Sequence, residues 1–285
     1  MNNAMKKKSV CAILAAVVAA STGVAIAADY TWDDGGADGR WSTGDNWYSA
    51  EWDNVPPQDD DTAIFGSTTS GMTLYATGVV DQAGTVVKVL KIGYNTGSQG
   101  TLIVAGGSLD VKDTIIVSVS GLGRLVLSNG ILRATNSIAV GTQKDKPGGI
   151  IEIEGGYMQT PYLYLGQIRP GTLTQGGGTN RVTNKADISS ANAAPATYEL
   201  RGGLFSPTFF SVGVSGTGTV VQTGGVLEIL GGQPTTLGVN SGSVGNYRLE
   251  NGTLKSYALY VGDHGQGVFT QTGGTNSTGS FFLVP

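Results

Sequence analysis

The strongest constraint on this chain is that it repeats itself. From Gly100 onward one phrase recurs: a small residue, five residues that tend to alternate in polarity, then a Gly-Gly or Asn-Gly pair. The copies read GTLIVAGG, GRLVLSNG, GIIEIEGG, GTLTQGGG, ATYELRGG, GTVVQTGG, GNYRLENG and GVFTQTGG. Their last glycines, Gly107, Gly130, Gly156, Gly178, Gly203, Gly225, Gly252 and Gly274, lie 23, 26, 22, 25, 22, 27 and 22 residues apart. Short and long steps alternate, so a deeper period of 47 to 49 residues pairs neighbouring units. A unit this short cannot bury an apolar face alone and gains a core only by stacking on its neighbours.

Each column of the repeat has a physical meaning. Five residues before the last glycine stand Leu102, Leu125, Ile151, Leu173, Tyr198, Val220, Tyr247 and Phe269, all apolar or aromatic. Three before it stand Val104, Leu127, Ile153, Gln175, Leu200, Gln222, Leu249 and Gln271. The positions between are mixed, which is the period-two signature of a strand with one face buried. The residue before the last glycine is only Gly or Asn, the types that best tolerate positive φ, so a left-handed corner is expected there. Two residues past the corner Leu109, Leu132, Met158, Phe205, Leu227 and Leu254 turn inward, with Asn180 and Asn276 in the same column. A third apolar piece closes many units, as in Tyr162-Leu163-Tyr164-Leu165-Gly166.

Two or three strands per 22 to 27 residues predict an all-β parallel β-helix, right-handed by the general chirality of parallel connections, with an aromatic-rich N-terminal cap. A β-propeller is the alternative, since its blades of about 40 to 45 residues approach the double period. The similarity of the half-periods argues against it. Composition agrees with the solenoid. Glycine supplies 46 of 285 residues, too many for a helical bundle. Charged residues make up 13%, and the net charge is −4 with no basic patch beyond the first ten residues, which disfavours nucleic acid as a partner.

The first residues read differently. Lys6, Lys7 and Lys8 precede an apolar stretch from Val10 to about Ala20, and Ala25-Ile26-Ala27 closes it. This is the pattern of a secretory signal peptide over residues 1–27, cleaved after Ala27 or Ala28. The stretch is too short and Ala-rich for a membrane span. Cleavage removes the lone cysteine, Cys11, and leaves 14 basic against 21 acidic residues. The expected organisation is a signal peptide, a cap region at 28–66 and a β-helix at 67–285. The chain stops within a coil, at Phe281-Phe282-Leu283-Val284-Pro285. Either it is C-terminally incomplete or another subunit covers that end.

Units such as GTLTQGGGT, GTVVQTGGV and GVFTQTGGT, alternating with Y-x-L-x-G-G, resemble the repeats of autotransporter-associated β-strand and PEP-CTERM-type exported bacterial surface proteins. The opening TWDDGGADGRWSTGDNWYS, with Trp32, Trp41, Asn46 and Trp47, is similar to the start of such chains, as is VPPQDDDTAIFG after it. The resemblance spans Tyr30 to the end and implies a secreted or cell-surface protein. It carries no catalytic residue that transfers to this chain.

Candidate sites are few. All four tryptophans, Trp32, Trp41, Trp47 and Trp52, fall within 21 residues. They suit either a plug over the first coil or a sugar-stacking platform using Trp41 and Trp47. The plug is favoured because solenoids require caps. Asp33, Asp34 and Asp38, and the run Asp59-Asp60-Asp61, offer calcium-type oxygens without matching an EF-hand or RTX spacing. They read first as solvated loops, and no metal ligand is assigned. Gln175, Gln222 and Gln271 with Asn180 and Asn276 read as an internal hydrogen-bonded cluster.

On the outside, Tyr164, Ser211 and Tyr260 recur every second coil, ~9.6 Å apart at the usual strand spacing. Tyr162 and Phe209 flank them. Tyr162, Tyr164, Phe209 and Tyr260 are therefore candidate glycan contacts. Catalysis has little support. His264 is the single histidine, no nucleophile, zinc or phosphate-loop motif occurs, and Glu152 and Glu154 look like ordinary outward acids. The expectation is a non-enzymatic, exported structural or adhesive solenoid with no cofactor. Surface polysaccharide or other solenoid subunits are its candidate partners. A polysaccharide-binding module or polysaccharide-degrading enzyme on the same scaffold is the alternative.

Overall fold

The computed structural model describes residues 27–50, 54–68, 75–143 and 148–284. The expected signal segment, apart from Ala27, and Trp52 of the tryptophan set lie outside the described residues. The chain is a parallel β-solenoid, as the repeat predicts. Every named strand pairing is parallel except one, in which Asp29–Trp32 meets Trp47–Tyr48 antiparallel through Thr31↔Tyr48 and Trp32↔Trp47.

Each coil lays down strands on three faces. The first face stacks Tyr75–Val80, the opening halves of Gln99–Val111 and Leu122–Ala134, then Gly149–Ile153, Gly171–Gln175, Ala196–Leu200, Thr217–Gln222, Val244–Leu249 and Gln266–Gln271. Across these rungs equivalent residues of the repeat are register partners, as in Leu173↔Tyr198↔Val220↔Tyr247↔Phe269. The second face follows the glycine corner and holds the column Leu109↔Leu132↔Met158↔Asn180↔Phe205↔Leu227↔Leu254↔Asn276. The third face begins at Asp29–Trp32 and runs through Thr62–Phe65, Val89–Ile92, Thr114–Val117 and Ser137–Val140 to the closing half of Thr275–Leu283. Inward columns from the three faces meet in one continuous core, in which Leu102, Leu109, Ile115, Leu163, Tyr198 and Phe205 are fully buried.

The corner differs from expectation in one respect. In six coils the left-handed residue is the last glycine of the pair, Gly156, Gly178, Gly203, Gly225, Gly252 and Gly274, with φ between 64° and 86°. The preceding position is small for another reason. At Gly224 an added Cβ would lie 2.2 Å from the carbonyl oxygen of Arg201 in the coil before. Two coils depart from this pattern. The earliest turns at Gly106 (φ 85°), and Asn129-Gly130 continues the strand Leu122–Ala134 without a positive φ.

The cap closes the N-terminal end with aromatic rings. Trp32 stacks on Phe65 at 5.2 Å between centroids, and Trp47 meets Trp32 edge-on at 5.1 Å and Trp41 at 4.6 Å. Room for them comes from Gly78, which occupies the column that later holds Leu102 and Leu125. A Cβ at Gly78 would lie 2.6 Å from the Phe65 ring. The buried Asn46 organises the cap loop. Its Oδ1 accepts from the Gly36 amide at 2.8 Å, and its Nδ2 donates to Asp38 Oδ1 at 2.6 Å and to the Arg40 carbonyl at 3.0 Å.

Candidate functional site

The interior is a structural network. Gln175 Nε2 donates to the carbonyls of Gly178, at its own corner, and Leu204, in the next coil, at 3.3 and 3.0 Å. Its Oε1 accepts from the Tyr198 hydroxyl of the next coil. Gln222 repeats the arrangement with Gly225, Thr253 and Tyr247. Asn180 Nδ2 donates to the Tyr198 oxygen at 3.4 Å. Burial holds the phenols of Tyr198 and Tyr247 well above the usual tyrosine range. Gln271 keeps the corner bond, to Gly274 at 3.2 Å, but it is exposed and Asn276 is half-buried.

Trp41 and Trp47 require a correction. Both are buried, at 1% and 3% exposure, and Trp47 Nε1 donates to the Trp41 carbonyl at 2.9 Å. Neither ring offers a face to a sugar, because both fill the plug. The nearby carboxylates are likewise occupied by protein donors. Asp38 accepts from Thr43 Oγ1, the Arg40 amide and Asn46, which holds its carboxyl down at about 2. Asp61 accepts from the amides of Ala28 and Gln58, and Asp59 pairs with Lys112 at 2.5 Å. Among the described residues no group of three or more His, Cys, Asp and Glu is placed to hold a metal ion.

The third face gathers the remaining candidates. Tyr162, Lys185 and Phe209 are register partners in one outward column, and Tyr164, Asp187 and Ser211 in the next. The second column continues through Thr236 to Tyr260 and Phe282. The rings of Tyr162 and Tyr164 lie parallel, 13° apart with centroids at 5.8 Å. Those of Tyr260 and Phe282 stack at 4.8 Å and 14°. Phe209 is 40% exposed.

Two features of this face were not anticipated from the repeat. First, the coil carrying Lys185 holds Thr183 and Asn184 where the coils on either side hold one residue, Pro161 or Thr208. The extra residue lets Asn184 Nδ2 donate to the Tyr162 hydroxyl at 2.6 Å. Second, the Asp187 side chain is only 7% exposed although its column faces outward. Lys185 Nζ reaches its Oδ2 at 2.9 Å, while its Oδ1 has no hydrogen-bond partner. Burial pushes this carboxyl up, against the opposing ammonium of Lys185. A sequence signal did exist. Lys185 and Asp187 repeat the spacing of Tyr162 and Tyr164 one coil later, in a chain poor in charge.

The other titratable candidates are dispersed. Glu152 is engaged by Arg124 across the first face, and Glu199 by Arg201 at 2.5 Å. His264 is three-quarters exposed beside Asp263. Among the described residues no helix is long and apolar enough to cross a membrane. No protein-family model, curated protein or solved structure matches the chain.

Proposed function

We propose that this chain is an exported structural or adhesive solenoid of a bacterial surface, working by presenting its flat faces rather than by catalysis. The observation that carries the reading is the unbroken register of the first face across nine rungs, from Tyr75–Val80 to Gln266–Gln271. A ladder of this kind makes a stiff rod whose two ends lie far apart, which suits a spacer or display element. The leader-like first 27 residues and the repeat phrases support export to a surface. Several outward carboxylates pair with neighbouring cations, as in Arg124–Glu152 and Lys255–Glu228.

Fractionation of producing cells, with protease applied to intact cells, tests this reading. The expected result is chain at the surface or in the medium, starting at residue 28 or 29. Retention in the cytoplasm with residues 1–27 intact overturns the export. Depolymerisation of a uronate or sulfated polysaccharide by the purified chain overturns the non-catalytic part.

A further inference from the structure

We infer that the third face carries a binding site for a neutral polysaccharide, centred on Tyr162, Tyr164, Asn184, Lys185, Asp187 and Phe209. The inference deepens the adhesive reading and rests on it for its biological setting, but the site itself is argued from this face alone.

The argument starts where the repeat is broken. In a solenoid the regular positions serve stacking, and insertions into single repeats collect on the working face. Bulges re-aim side chains beside functional sites. The one-residue excess at Thr183-Asn184 places an amide on the hydroxyl of an exposed-face tyrosine. The adjacent coil position holds a carboxylate nine-tenths buried with one oxygen unpartnered. The buried carboxylate fixes the Lys185 ammonium at 2.9 Å, and Lys185 is half-exposed, so a ligand hydroxyl arriving on this face accepts a hydrogen bond from it.

The chemistry of the patch selects the ligand. Parallel tyrosine rings offer apolar surface, and the Tyr162 hydroxyl, which accepts from Asn184, keeps its own proton to donate. A pyranose matches this, since its C–H face is apolar and its rim carries hydroxyls. Lys185 and Asp187 neutralise each other at 2.9 Å, so the patch attracts neither polyanion nor polycation, and the glycan is neutral. Size points the same way. The patch spans three rungs, ~10 Å along the axis, and its few residues fall well short of the roughly 20–30 a side of a stable protein interface. It has room for one or two sugar rings.

The same column then makes the site extended. Ser211 and Thr236 lead from Asp187 to the stacked pair Tyr260–Phe282, so that Tyr260 lies four rungs, ~19 Å, from Tyr164. Two aromatic contacts on one rigid face engage a single polymer chain lying along the axis. The second contact adds avidity without a new ligand.

The purified full chain is tested by affinity electrophoresis in gels containing a β-1,4-xylan, a mixed-linkage β-glucan or amylose, with alginate and dextran sulfate in parallel. The expected result is retardation by at least one neutral polymer. It is expected to weaken at least ten-fold in the double variant Tyr162→Ala/Tyr164→Ala and several-fold in Tyr260→Ala, but not in Tyr75→Ala, whose exposed ring lies on the first face. Circular dichroism melting confirms that each variant is folded, and Asn184→Ala gives a second disruption that removes no core contact. Retardation only by the charged polymers overturns the proposal, as does retardation by none. Retardation unchanged in both the double variant and Asn184→Ala overturns it too. So does a concentration-dependent change in sedimentation that the double variant abolishes without any glycan effect, which would make the face a contact between copies. A surface-located protein that binds no neutral glycan leaves the structural reading standing and removes this one.

Discussion

The earlier and later coils have the same outline and different interiors. In the coils from Gln99 to Thr160 the inward columns of the first face are aliphatic, with Leu102, Leu125 and Ile151 in one and Val104, Leu127 and Ile153 in the other. In the coils from Gly171 to Leu249 the same columns alternate, with Leu173, Tyr198, Val220 and Tyr247 in one and Gln175, Leu200, Gln222 and Leu249 in the other. The difference concerns specificity. Aliphatic columns look alike from coil to coil, so a slip by one coil costs them only packing. The glutamine of one coil takes its donor from the tyrosine of the next, and a one-coil slip puts Val220 or Phe269, which carry no hydroxyl, where Gln175 or Gln222 needs that tyrosine. Buried polar pairs that are fully satisfied define register in this way. The 47- to 49-residue double period is the sequence image of that rule.

The two interiors should fail differently. Leu127→Ala removes volume from the aliphatic region and is expected to cost about 3 kcal/mol in urea unfolding, because the coils on either side relax only partly into the gap. Leu127→Met keeps the volume and is expected to cost less than about 1.5 kcal/mol. In the polar region a volume-conserving change is not mild. Gln222→Leu leaves the Tyr247 hydroxyl buried without an acceptor and withdraws a donor from the carbonyls of Gly225 and Thr253. It is expected to cost about 2 kcal/mol, the penalty of an orphaned polar group. Equal effects for Leu127→Met and Gln222→Leu would show that the two interiors do not differ in kind.

The next effect is a coupling. Tyr247→Phe removes the hydroxyl that Gln222→Leu strands, so the double variant should be more stable than the sum of the singles by about 1.5 kcal/mol. The equivalent cycle on Leu127 and Ile151, with Leu127→Met and Ile151→Val, should give a coupling near the ~0.5 kcal/mol limit of simple additivity. Additive behaviour at Gln222 and Tyr247 would mean that their hydrogen bond contributes little to the later coils.

Period-two alternation and glycine spacing made the columns legible because both report local geometry, and residues such as Leu109 and Leu227 needed nothing further to be placed inside. The corner was harder. Gly224 and Gly225 are the same residue type, yet one answers to φ and the other to a carbonyl in the preceding coil, which is a tertiary contact. The tryptophans were ambiguous for a similar reason. Whether Trp41 and Trp47 plug or display depends on the space beneath them, and Gly78 in a leucine column was the overlooked sign of that space. On the third face, Tyr162, Tyr164, Phe209 and Tyr260 were visible as an outward series. Lys185 and Asp187 showed only as a repeat of the Tyr162–Tyr164 spacing, and Asn184 not at all, because their placement follows from a one-residue excess that appears when three coils are set in register.

The smallest effect reads the polar interior through pH. Burial raises the phenol pKa of Tyr198 and of Tyr247 in the folded chain, whereas the unfolded chain releases these protons near pH 10. Below that pH both states hold the protons and the linkage costs nothing. Above it the unfolded state binds fewer protons than the folded one, so stability falls as pH rises. Each buried phenol contributes a slope of about 1.4 kcal/mol per pH unit there. The double variant Tyr198→Phe/Tyr247→Phe should start less stable at neutral pH yet lose stability more slowly above pH 10. The aliphatic coils carry no such group in these columns, so Leu127→Ala should shift the whole curve without changing its alkaline slope. Parallel alkaline slopes for the chain and its double phenylalanine variant would mean that water reaches these phenols, and the polar interior would then be no more sealed than the exposed Gln271.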